Sequence, residues 1–362
     1  MLVHSDIRSR RKAEHLEAVK QLGDTGGSSW FEDISLLSNC APELAWEDVA
    51  LETHLCGIRL PSPILINAMT GGTEEAYEIN KKLAAAARRH GLAMAVGSET
   101  AGLSNDRWAR TYTVVREENP EGVVIANVGM NTDPDVAKRA VQLIGAQLLQ
   151  VHWNVAQELF MPEGDRNFHG ALVRLHQTVQ SVGVPVIAKE VGQGIASEQA
   201  ERFVAAGVSA IDVGGRGGTN FIAVEAWRRN HLLSDQWQQW GLPTPVTLCE
   251  VLGAVGGKID VVASGGIRNG HDIAKSISLG ASAVGIAGPF LRLLSQPEGE
   301  KALDAYIEEL HWTLHALLVM TGSKNWHALR QRPIVIGGRV REWLSIRGLD
   351  KWVRRLGRRG QP

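Results

Sequence analysis

Eight short hydrophobic runs along this chain each give way to polar or glycine-rich residues. Each run has the length and apolar content of a buried strand, and segments with helical periodicity separate the runs. This alternation is typical of a parallel sheet with crossover helices. In a (β/α)8 barrel all strands end at one rim, which carries the active site. The pattern therefore predicts an α/β fold, a TIM (β/α)8 barrel with its chemically unusual residues gathered at one end. The eight runs are ILINA, AMAVG, VVIAN, LLQVH, VIAK, AIDV, DVVAS and AVGIA.

The chain divides into three parts by composition. Its 362 residues suit one barrel with additions better than two domains. We interpret the polar, irregular residues 1–60 as an N-terminal arm and lead-in, residues 61–337 as the barrel, and residues 338–362 as a basic amphipathic C-terminal tail. Residues 220–245 are rich in Trp, Arg and Gln and are interpreted as a rim insertion. The predicted helices span residues 74–90, 108–118, 134–144, 170–182, 196–206, 245–255 and 270–279, and a long helical stretch follows residue 289.

Apolar residues alternate with charges in the C-terminal tail. A basic amphipathic helix is typical of segments that touch an anionic membrane or a partner protein. Packing on the outside of the barrel or on a neighbouring subunit is favoured, because nothing else in the sequence points to a membrane. The basic residues of the tail are Arg339, Arg341, Arg347, Lys351, Arg354, Arg355, Arg358 and Arg359.

Charge and cysteine content exclude several classes of protein. The formal net charge of −1 gives no general attraction to nucleic acid. No apolar run is long enough to span a bilayer, and no apolar signal core follows the charged amino terminus. Cys40, Cys56 and Cys249 lie far apart, in neither metal nor redox spacing, which indicates a reducing compartment. The sequence therefore predicts a cytoplasmic protein with no nucleic-acid partner and no transmembrane segment.

Glycine-rich segments follow the last three predicted strands, at residues 214–219, 264–270 and 287–289. Glycine lets the backbone approach a ligand closely, and phosphate sites in barrels commonly form after strands seven and eight. Tight turns that need glycine are the alternative. Three such segments on neighbouring strands favour a phosphate site.

Lys189 closes the fifth predicted strand, PVIAKE. A lysine at the end of an apolar strand is costly unless its ammonium faces a partner or a polar cavity. It suits a Schiff-base nucleophile or a fixed cation beside a flavin, and the alternative is a side chain that extends to solvent. Thr70, Ser98 and Asn127 place short hydrogen-bonding groups after strands one to three, where they suit the heteroatom edge of a planar ring. Taken one at a time, each of these three residues is explained equally well by turn formation.

Two further groups of residues suit a diphosphate. His152, Asn154, Gln157 and Glu158 follow strand four, where the Glu158 carboxylate would hold Mg2+ together with phosphate oxygens; a polar loop is the alternative. In the arm, a helix would place Arg11 and His15 on one face, next to Lys12, and an arm folded over the rim would bring these cations to the substrate. A solvated run of charge is the simpler interpretation of the arm on spacing alone.

The motifs taken together resemble the type 2, flavin-dependent isopentenyl-diphosphate isomerases. The similarity runs from about Arg11 to Gly337 in the order of that family. AKEVG, H-x-N-x-x-Q-E and RK-x-E-H are highly specific in combination. The remaining strings are AMTGGT, VGS, ANVG, PEGDR, DVGGRGGT, ASGGIRNG and GIAGPFL.

The resemblance implies a cofactor, a substrate and a residue set. The reaction would move the double bond of isopentenyl diphosphate to give dimethylallyl diphosphate, using reduced FMN and Mg2+, with NADPH as the reductant of FMN. A homo-oligomer, tetramer or octamer, is also implied. FMN would lie on Ala68, Met69, Thr70, Ser98, Asn127, Lys189 and Thr219, with its phosphate on Gly266, Ile267, Arg268, Ala287 and Gly288. The substrate would contact Arg11, Lys12, His15, Ser98, His152, Asn154 and Gln157, with Mg2+ on Glu158. The residues closest to the chemistry would be Gln157, Lys189, His152 and Asn154.

The sequence departs from the family pattern at two places. Glu99-Thr100 stands where many members have Gln followed by Arg or Met, and a carboxylate here would repel a diphosphate unless it binds metal or faces away. Trp153 replaces a smaller aliphatic residue and is expected to point into the barrel wall.

Three other functions fit parts of the pattern. A hydroxy-acid oxidase would keep the glycine loops and Lys189 but needs a His base late in the barrel, where only His231 and His271 occur. An enzyme like inosine-monophosphate dehydrogenase needs a loop cysteine at a strand end. A flavin-binding scaffold acting through its basic tail would not need Gln157 and Glu158.

Overall fold

The computed structural model describes residues 2–360, with the backbone alone for residues 2–9. Eight parallel strands form a closed barrel in which chain neighbours lie side by side, and the eighth strand closes it on the first through the pairing of Val284 with Ile64. The predicted TIM barrel is confirmed. The strands are Ile64–Ile66, Ala93–Ala95, Val124–Gly129, Leu148–Trp153, Val186–Glu190, Ala210–Asp212, Asp260–Ser264 and Ala283–Ile286.

The barrel strands are largely apolar because both of their faces are buried. Ile64 and Ile66 pack outward with the helices, whereas Leu65 lies between them and points inward. The inward residues form a cluster that also contains Leu55 and Leu60 of the hairpin Thr53–Leu55 and Ile58–Leu60. This hairpin fills one end of the barrel interior and leaves the site to the other end.

Helices cover the outside of the barrel, and several begin at a side-chain cap. Thr73 Oγ1 accepts the N–H of Ala76 at 3.1 Å, and Asn269 Oδ1 accepts the N–H of Asp272 at 2.9 Å. The helices between the first barrel strand and the C-terminal tail, capped or not, are Glu74–His90, Thr100–Ser104, Asp106–Glu118, Pro134–Ile144, Val155–Phe160, Ala171–Ser181, Ser197–Ala205, Phe221–Arg228, Asp235–Gln238, Thr244–Val255, Gly270–Leu279, Gly288–Leu294, Gly299–Met320 and Trp326–Leu329.

The lead-in is more ordered than its composition suggests. It contains the helix Leu2–Leu22, the short 3-10 helices Phe31–Asp33 and Trp46–Asp48, and the strand Ile34–Leu36, which pairs antiparallel with Ile334–Ile336. The hydrophobic pattern alone does not predict this helix, because its apolar residues form no regular stripe. Contacts with the barrel, rather than an amphipathic pattern, stabilise it.

The C-terminal tail forms two helices, Gly338–Ile346 and Asp350–Gly357, packed on the outside of the barrel. Val340, Leu344, Val353 and Leu356 are buried. Trp343 Nε1 donates to Glu250 Oε1 at 3.0 Å, and Arg347 Nε donates to the same oxygen at 2.8 Å. The tail is therefore anchored to the helix Thr244–Val255, as the simpler interpretation of its sequence predicts. Among the described helices none is long and apolar enough to cross a membrane.

Candidate active site

A cavity of about 810 Å³ opens at the carboxyl ends of the barrel strands, and the helix Leu2–Leu22 lies along one side of it. The structure brings together here nearly all the residues that the sequence singles out. Those that line the cavity are Arg11, Lys12, His15, Ala68, Met69, Thr70, Ser98, Asn127, His152, Asn154, Gln157, Glu158, Lys189, Thr219, Gly266, Ile267, Ala287 and Gly288.

Arg268 is the predicted cofactor residue that lies outside this lining. Its guanidinium donates to the carbonyls of Gly266 at 2.9 Å and Gly217 at 2.5 Å, and it contacts Asp24 Oδ2 at 3.2 Å. Arg268 therefore ties two glycine loops together, and its role toward a phosphate stays a prediction. Asp24, which sequence reasoning missed, also accepts from Arg292 at 3.1 Å and lines the cavity.

The glycine loops approach each other too closely for side chains. A Cβ on Gly218 would lie 2.8 Å from the backbone nitrogen of Gly266. Gly265 has φ +104°, and a Cβ there would lie 1.9 Å from the carbonyl oxygen of Gly215. The loops thus form a wall of bare backbone, which suits close approach by the phosphate of FMN.

The floor of the cavity is a buried polar network. Lys189 Nζ lies 3.0 Å from Asp212 Oδ2, and the two side chains are 9 % and 0 % exposed. Asn67 Nδ2 donates to the same oxygen at 2.8 Å, and Ser264 Oγ donates to Asp212 Oδ1. Lys189 thus faces both a partner and a polar cavity, the condition that its place in the sequence requires. Together with the hydroxyls of Thr70 and Ser98, this floor fits the polar edge of an FMN ring.

His152 is held as a neutral imidazole. Asn127 Nδ2 donates to the carbonyl of Val96 at 3.1 Å, so Asn127 Oδ1 is the acceptor for His152 Nδ1 at 2.8 Å. Burial and the nearby charge of Lys189 lower the pKa of His152 to about 4. The free nitrogen, Nε2, therefore accepts a hydrogen bond at neutral pH.

A buried carboxylate joins the arm to the residues after strand four. Glu225 Oε1 accepts from Gln157 Nε2 at 3.3 Å and lies 2.6 Å from His15 Nε2, while Arg228 donates to Oε2 at 2.6 Å. Burial opposes ionisation of Glu225, but the hydrogen bonds and charges of His15 and Arg228 outweigh it and lower its pKa. Sequence reasoning missed Glu225, although an acid within the apolar string FIAVEAW was the available signal.

The other two arm cations also face the cavity. Lys12 Nζ donates to the carbonyl of Ser98 at 2.6 Å and to the hydroxyl of Tyr112 at 2.5 Å. Arg11 Nη1 lies 3.4 Å from Met161 Sδ. The arm therefore carries three basic side chains into the cavity lining, at Arg11, Lys12 and His15.

Glu158 supplies a single oriented carboxylate. Its Oε1 accepts from Asn154 Nδ2 at 2.9 Å and its Oε2 accepts from the N–H of Asp165 at 2.8 Å. Within the described residues no cluster of three or more His, Cys, Asp or Glu could hold a metal ion. Mg2+ commonly binds through one or two carboxylates plus phosphate oxygens and waters, so Glu158 fits such an ion only together with a diphosphate.

Of the residues that depart from the family pattern, Thr100 lines the cavity, whereas Glu99 and Trp153 do not. Glu99 is fully buried, and its Oε1 accepts the N–H of Asn127 at 3.0 Å. Burial raises the pKa of Glu99 to about 8, so the group is neutral at pH 7 and does not repel an anion. Trp153 packs on Phe203 with ring centroids 4.9 Å apart, in the barrel wall as expected.

Residues that the alternative functions would need lie elsewhere. His231 and His271 are exposed and do not line the cavity. Cys40 is exposed, Cys249 is buried, and burial raises the pKa of Cys56 to about 12. The cavity therefore offers neither a late histidine base nor a cysteine nucleophile from these positions.

Comparison with known proteins agrees with this geometry. The model of the FMN-dependent dehydrogenase family matches residues 165–335. An isopentenyl-diphosphate delta-isomerase of Geobacillus sp. is 46% identical over 347 residues, 96% of this chain and 98% of that protein. The enzyme of the same name from Symbiobacterium thermophilum is 43% identical over 355 residues, 95% of this chain and 97% of that protein.

Solved structures with lower identity share the fold. A protein of Pediococcus acidilactici described as a lactate oxidase has a TM-score of 0.68 at 15% identity and covers 91% of this chain and 94% of its own. A mandelate oxidase variant has a TM-score of 0.63 at 20% identity, covering 92% and 98%. Because the full-length relatives exceed 40% identity and the barrel carries an FMN-dependent dehydrogenase domain, the chain belongs to the type 2, FMN-dependent isopentenyl-diphosphate delta-isomerase family.

Proposed function

We propose that the protein converts isopentenyl diphosphate to dimethylallyl diphosphate with reduced FMN and Mg2+ bound in the cavity. The observation that carries this proposal is that two chemically different sets of residues line one cavity, and we call them its two halves. Glycine loops and the Lys189 floor line one half. The arm cations and Glu158 line the other. A flavin alone would need only the first half.

The floor and the loops would hold the cofactor. The backbone wall at Gly218 and Gly266 would receive the phosphate of FMN, and Lys189 would lie at the polar edge of its ring. Reduced FMN supplies an electron-rich ring system that stabilises positive charge on a nearby carbon and exchanges protons. Lys189 favours the anionic form of such a ring because its ammonium is fixed and shielded from water.

The second half would bind and orient the substrate. Glu158, Arg11 and Lys12 would hold the diphosphate and its Mg2+, so that binding energy remote from the reacting carbons positions a small apolar group. The neutral His152 would first accept a hydrogen bond at Nε2, and the negative charge of a bound diphosphate would favour its protonation. Leu16 and Val19 of the arm helix also line the cavity and would exclude water.

Gln157 would lie nearest the allylic end of the substrate. Its amide Nε2 donates to Glu225, which fixes the side chain and leaves Oε1 to face Asn154 Nδ2 at 3.2 Å. Asn154 in turn donates to Glu158. The polar chain from Glu225 to Glu158 thus couples the placement of Gln157 to the proposed metal site.

We further propose that the protein is a cytoplasmic homo-oligomer, a tetramer or octamer, whose FMN is reduced by NADPH. The free cysteines support a reducing compartment. Exposed aromatic side chains support an oligomer, since Trp46 and Trp312 are 42% and 59% exposed with ring centroids 6.2 Å apart. Sedimentation measures the oligomeric state, and anaerobic bleaching of the flavin by NADPH measures the reductant.

An anaerobic assay tests the main proposal. Protein, FMN, Mg2+ and isopentenyl diphosphate are mixed with NADPH or dithionite, and dimethylallyl diphosphate and flavin absorbance are followed together. We expect product when the flavin is reduced, without stoichiometric consumption of reductant. Reduced, bound flavin with no product would overturn the substrate assignment, and oxidation of 2-hydroxy acids would then be measured.

A further inference from the structure

A carboxylate lies directly behind the floor of the cavity. Asp212 ends the sixth barrel strand and has no exposed surface. It does not line the cavity, whereas its partners Lys189, Asn67 and Ser264 do. The ammonium of Lys189 therefore stands between this carboxylate and the space that a flavin would occupy.

The neighbours of Asp212 are arranged around its negative charge. Gln150 Nε2 faces Asp212 Oδ2 at 3.4 Å and Asn67 Oδ1 at 3.1 Å, and this orientation leaves Gln150 Oε1 buried with no hydrogen-bond partner. If the Gln150 amide were flipped, its Oε1 would face the carboxylate of Asp212. A buried, unpartnered oxygen is costly, so its presence indicates that the carboxylate decides the orientation.

Within the Lys189–Asp212 ion pair, the surrounding hydrogen bonds hold Asp212 more firmly than Lys189. Asp212 receives hydrogen bonds from Asn67, just after the first barrel strand, and from Ser264 on the seventh, in addition to that from Lys189. Lys189 Nζ has Asp212 and the carbonyl of Glu190, at 3.2 Å, as its partners. A buried charge is tolerated when an opposite charge and hydrogen bonds compensate it. Asp212 is thus the fixed anchor of the Lys189 ammonium.

We propose that Asp212 is a positioning residue that holds Lys189 at the cavity floor and offsets part of its charge toward bound FMN. This inference rests on the proposed function, because it concerns the cofactor of that site. Reduction adds electrons to the flavin, so Lys189 favours the reduced form and Asp212 disfavours it. The Lys189–Asp212 pair then sets the reduction potential of the bound FMN. A lysine without this carboxylate would favour the reduced flavin more strongly.

The test is the reduction potential of FMN bound to Asp212→Asn, measured anaerobically against indicator dyes. Asparagine keeps the shape and removes the charge. We expect the equilibrium to shift at least tenfold toward reduced flavin, which is about 30 mV for a two-electron couple. The matched control is Asp260→Asn at the amino end of the next strand, where the carboxylate accepts from Cys56 N–H at 2.6 Å, outside the cavity lining. Asp260→Asn should leave the potential unchanged.

A second pair of variants keeps the test valid if Asp212→Asn alone does not fold. Lys189→Met should shift the equilibrium toward oxidised flavin, and the double variant Lys189→Met, Asp212→Asn should return it most of the way, because both charges of the pair are then gone. If Asp212 only supports the fold, the double variant will keep the potential of Lys189→Met, and that result overturns the proposal.

The two proposals fail differently. If the wild-type protein isomerises isopentenyl diphosphate while the potential of Asp212→Asn equals that of wild type, the function stands and the role of Asp212 is wrong. If the potential shifts as expected while the wild-type protein forms no product, the role of Asp212 stands and the substrate assignment falls.

Discussion

The carboxyl group of Glu99 has no exposed surface, and its environment decides its charge. One oxygen accepts the N–H of Asn127, while the other, Oε2, is buried with no hydrogen-bond partner. Burial raises the pKa of this carboxyl to about 8, although the charge of Lys12 acts against the shift. Glu99 therefore serves as a neutral support for Asn127, which in turn orients His152.

Replacing Glu99 by Gln should make stability less dependent on pH. The folded protein keeps the Glu99 proton up to a pH of about 8, whereas the unfolded chain releases it near 4.5, so wild-type stability falls as the pH rises through this window. Glu99→Gln removes that loss. We expect the variant to match wild type near pH 4 and to exceed it at pH 8 by a few kcal/mol. Melting temperatures across this range, with exposed Glu121→Gln as control, measure the effect. Parallel curves for Glu99→Gln and wild type would contradict the assignment.

Replacing Glu158 by Gln should raise the Mg2+ requirement. The substitution keeps the hydrogen bond from Asn154 possible but removes the one charge proposed to face the ion. Loss of a metal ligand or its support commonly costs about 10–100-fold in metal affinity. We expect the half-saturating Mg2+ concentration of the reduced enzyme to rise by at least about tenfold. Glu121→Gln is the control, because that side chain is exposed and lies outside the cavity lining. An unchanged Mg2+ titration would remove Glu158 from the metal site.

Elements whose periodicity follows from the barrel were predictable, and elements held by tertiary contacts were not. The eight strands were recognised because continuous apolar runs are the mark of strands buried on both faces. The apolar pattern does not predict the helix Leu2–Leu22, in which Leu16, Ala18 and Val19 are buried against residues distant in the sequence. The polar residues in and behind the cavity floor were passed over, because a polar residue in or next to an apolar strand has no visible partner in sequence. They are Asn67, Gln150 and Asp212. Their partners lie on other strands.

The sequence of the C-terminal tail fits two interpretations, contact with a membrane or partner protein and packing on the outside of the barrel. In Gly338–Ile346, Leu344 is completely buried while Ile346, two positions later, is 80% exposed. These two similar side chains offer a matched pair that separates packing on the barrel from attachment to something outside it.

Leu344→Ala should therefore destabilise the protein, and Ile346→Ala should not. Removing a buried leucine costs about 2–5 kcal/mol, whereas a surface change is usually within about 0.5 kcal/mol. Denaturant midpoints of the purified FMN-bound proteins measure the difference. Equal midpoints would show that the tail contributes no stability, and its role would then have to be sought outside the barrel.

At the scale of the whole molecule, stability and cofactor binding are linked. The glycine loops after strands six to eight bring bare backbone together, and a bound phosphate would supply the anion that this wall and the ammonium of Lys189 favour. FMN binding should consequently stabilise the whole barrel, since a ligand that binds only the folded state shifts unfolding by mass action.

Comparing FMN with riboflavin tests which part of the cofactor the loops recognise. At a free FMN concentration of about 100 times Kd, the folded state gains about 2.7 kcal/mol, which raises the Tm measurably. Riboflavin carries the same ring but no phosphate, so at equal concentration it should raise the Tm much less. Lys189→Ala should weaken stabilisation by both ligands, because its ammonium is assigned to the ring. Equal stabilisation by riboflavin and FMN would mean that the loops bind no phosphate, and the closeness of Gly218 to Gly266 would then reflect packing between strands rather than a ligand.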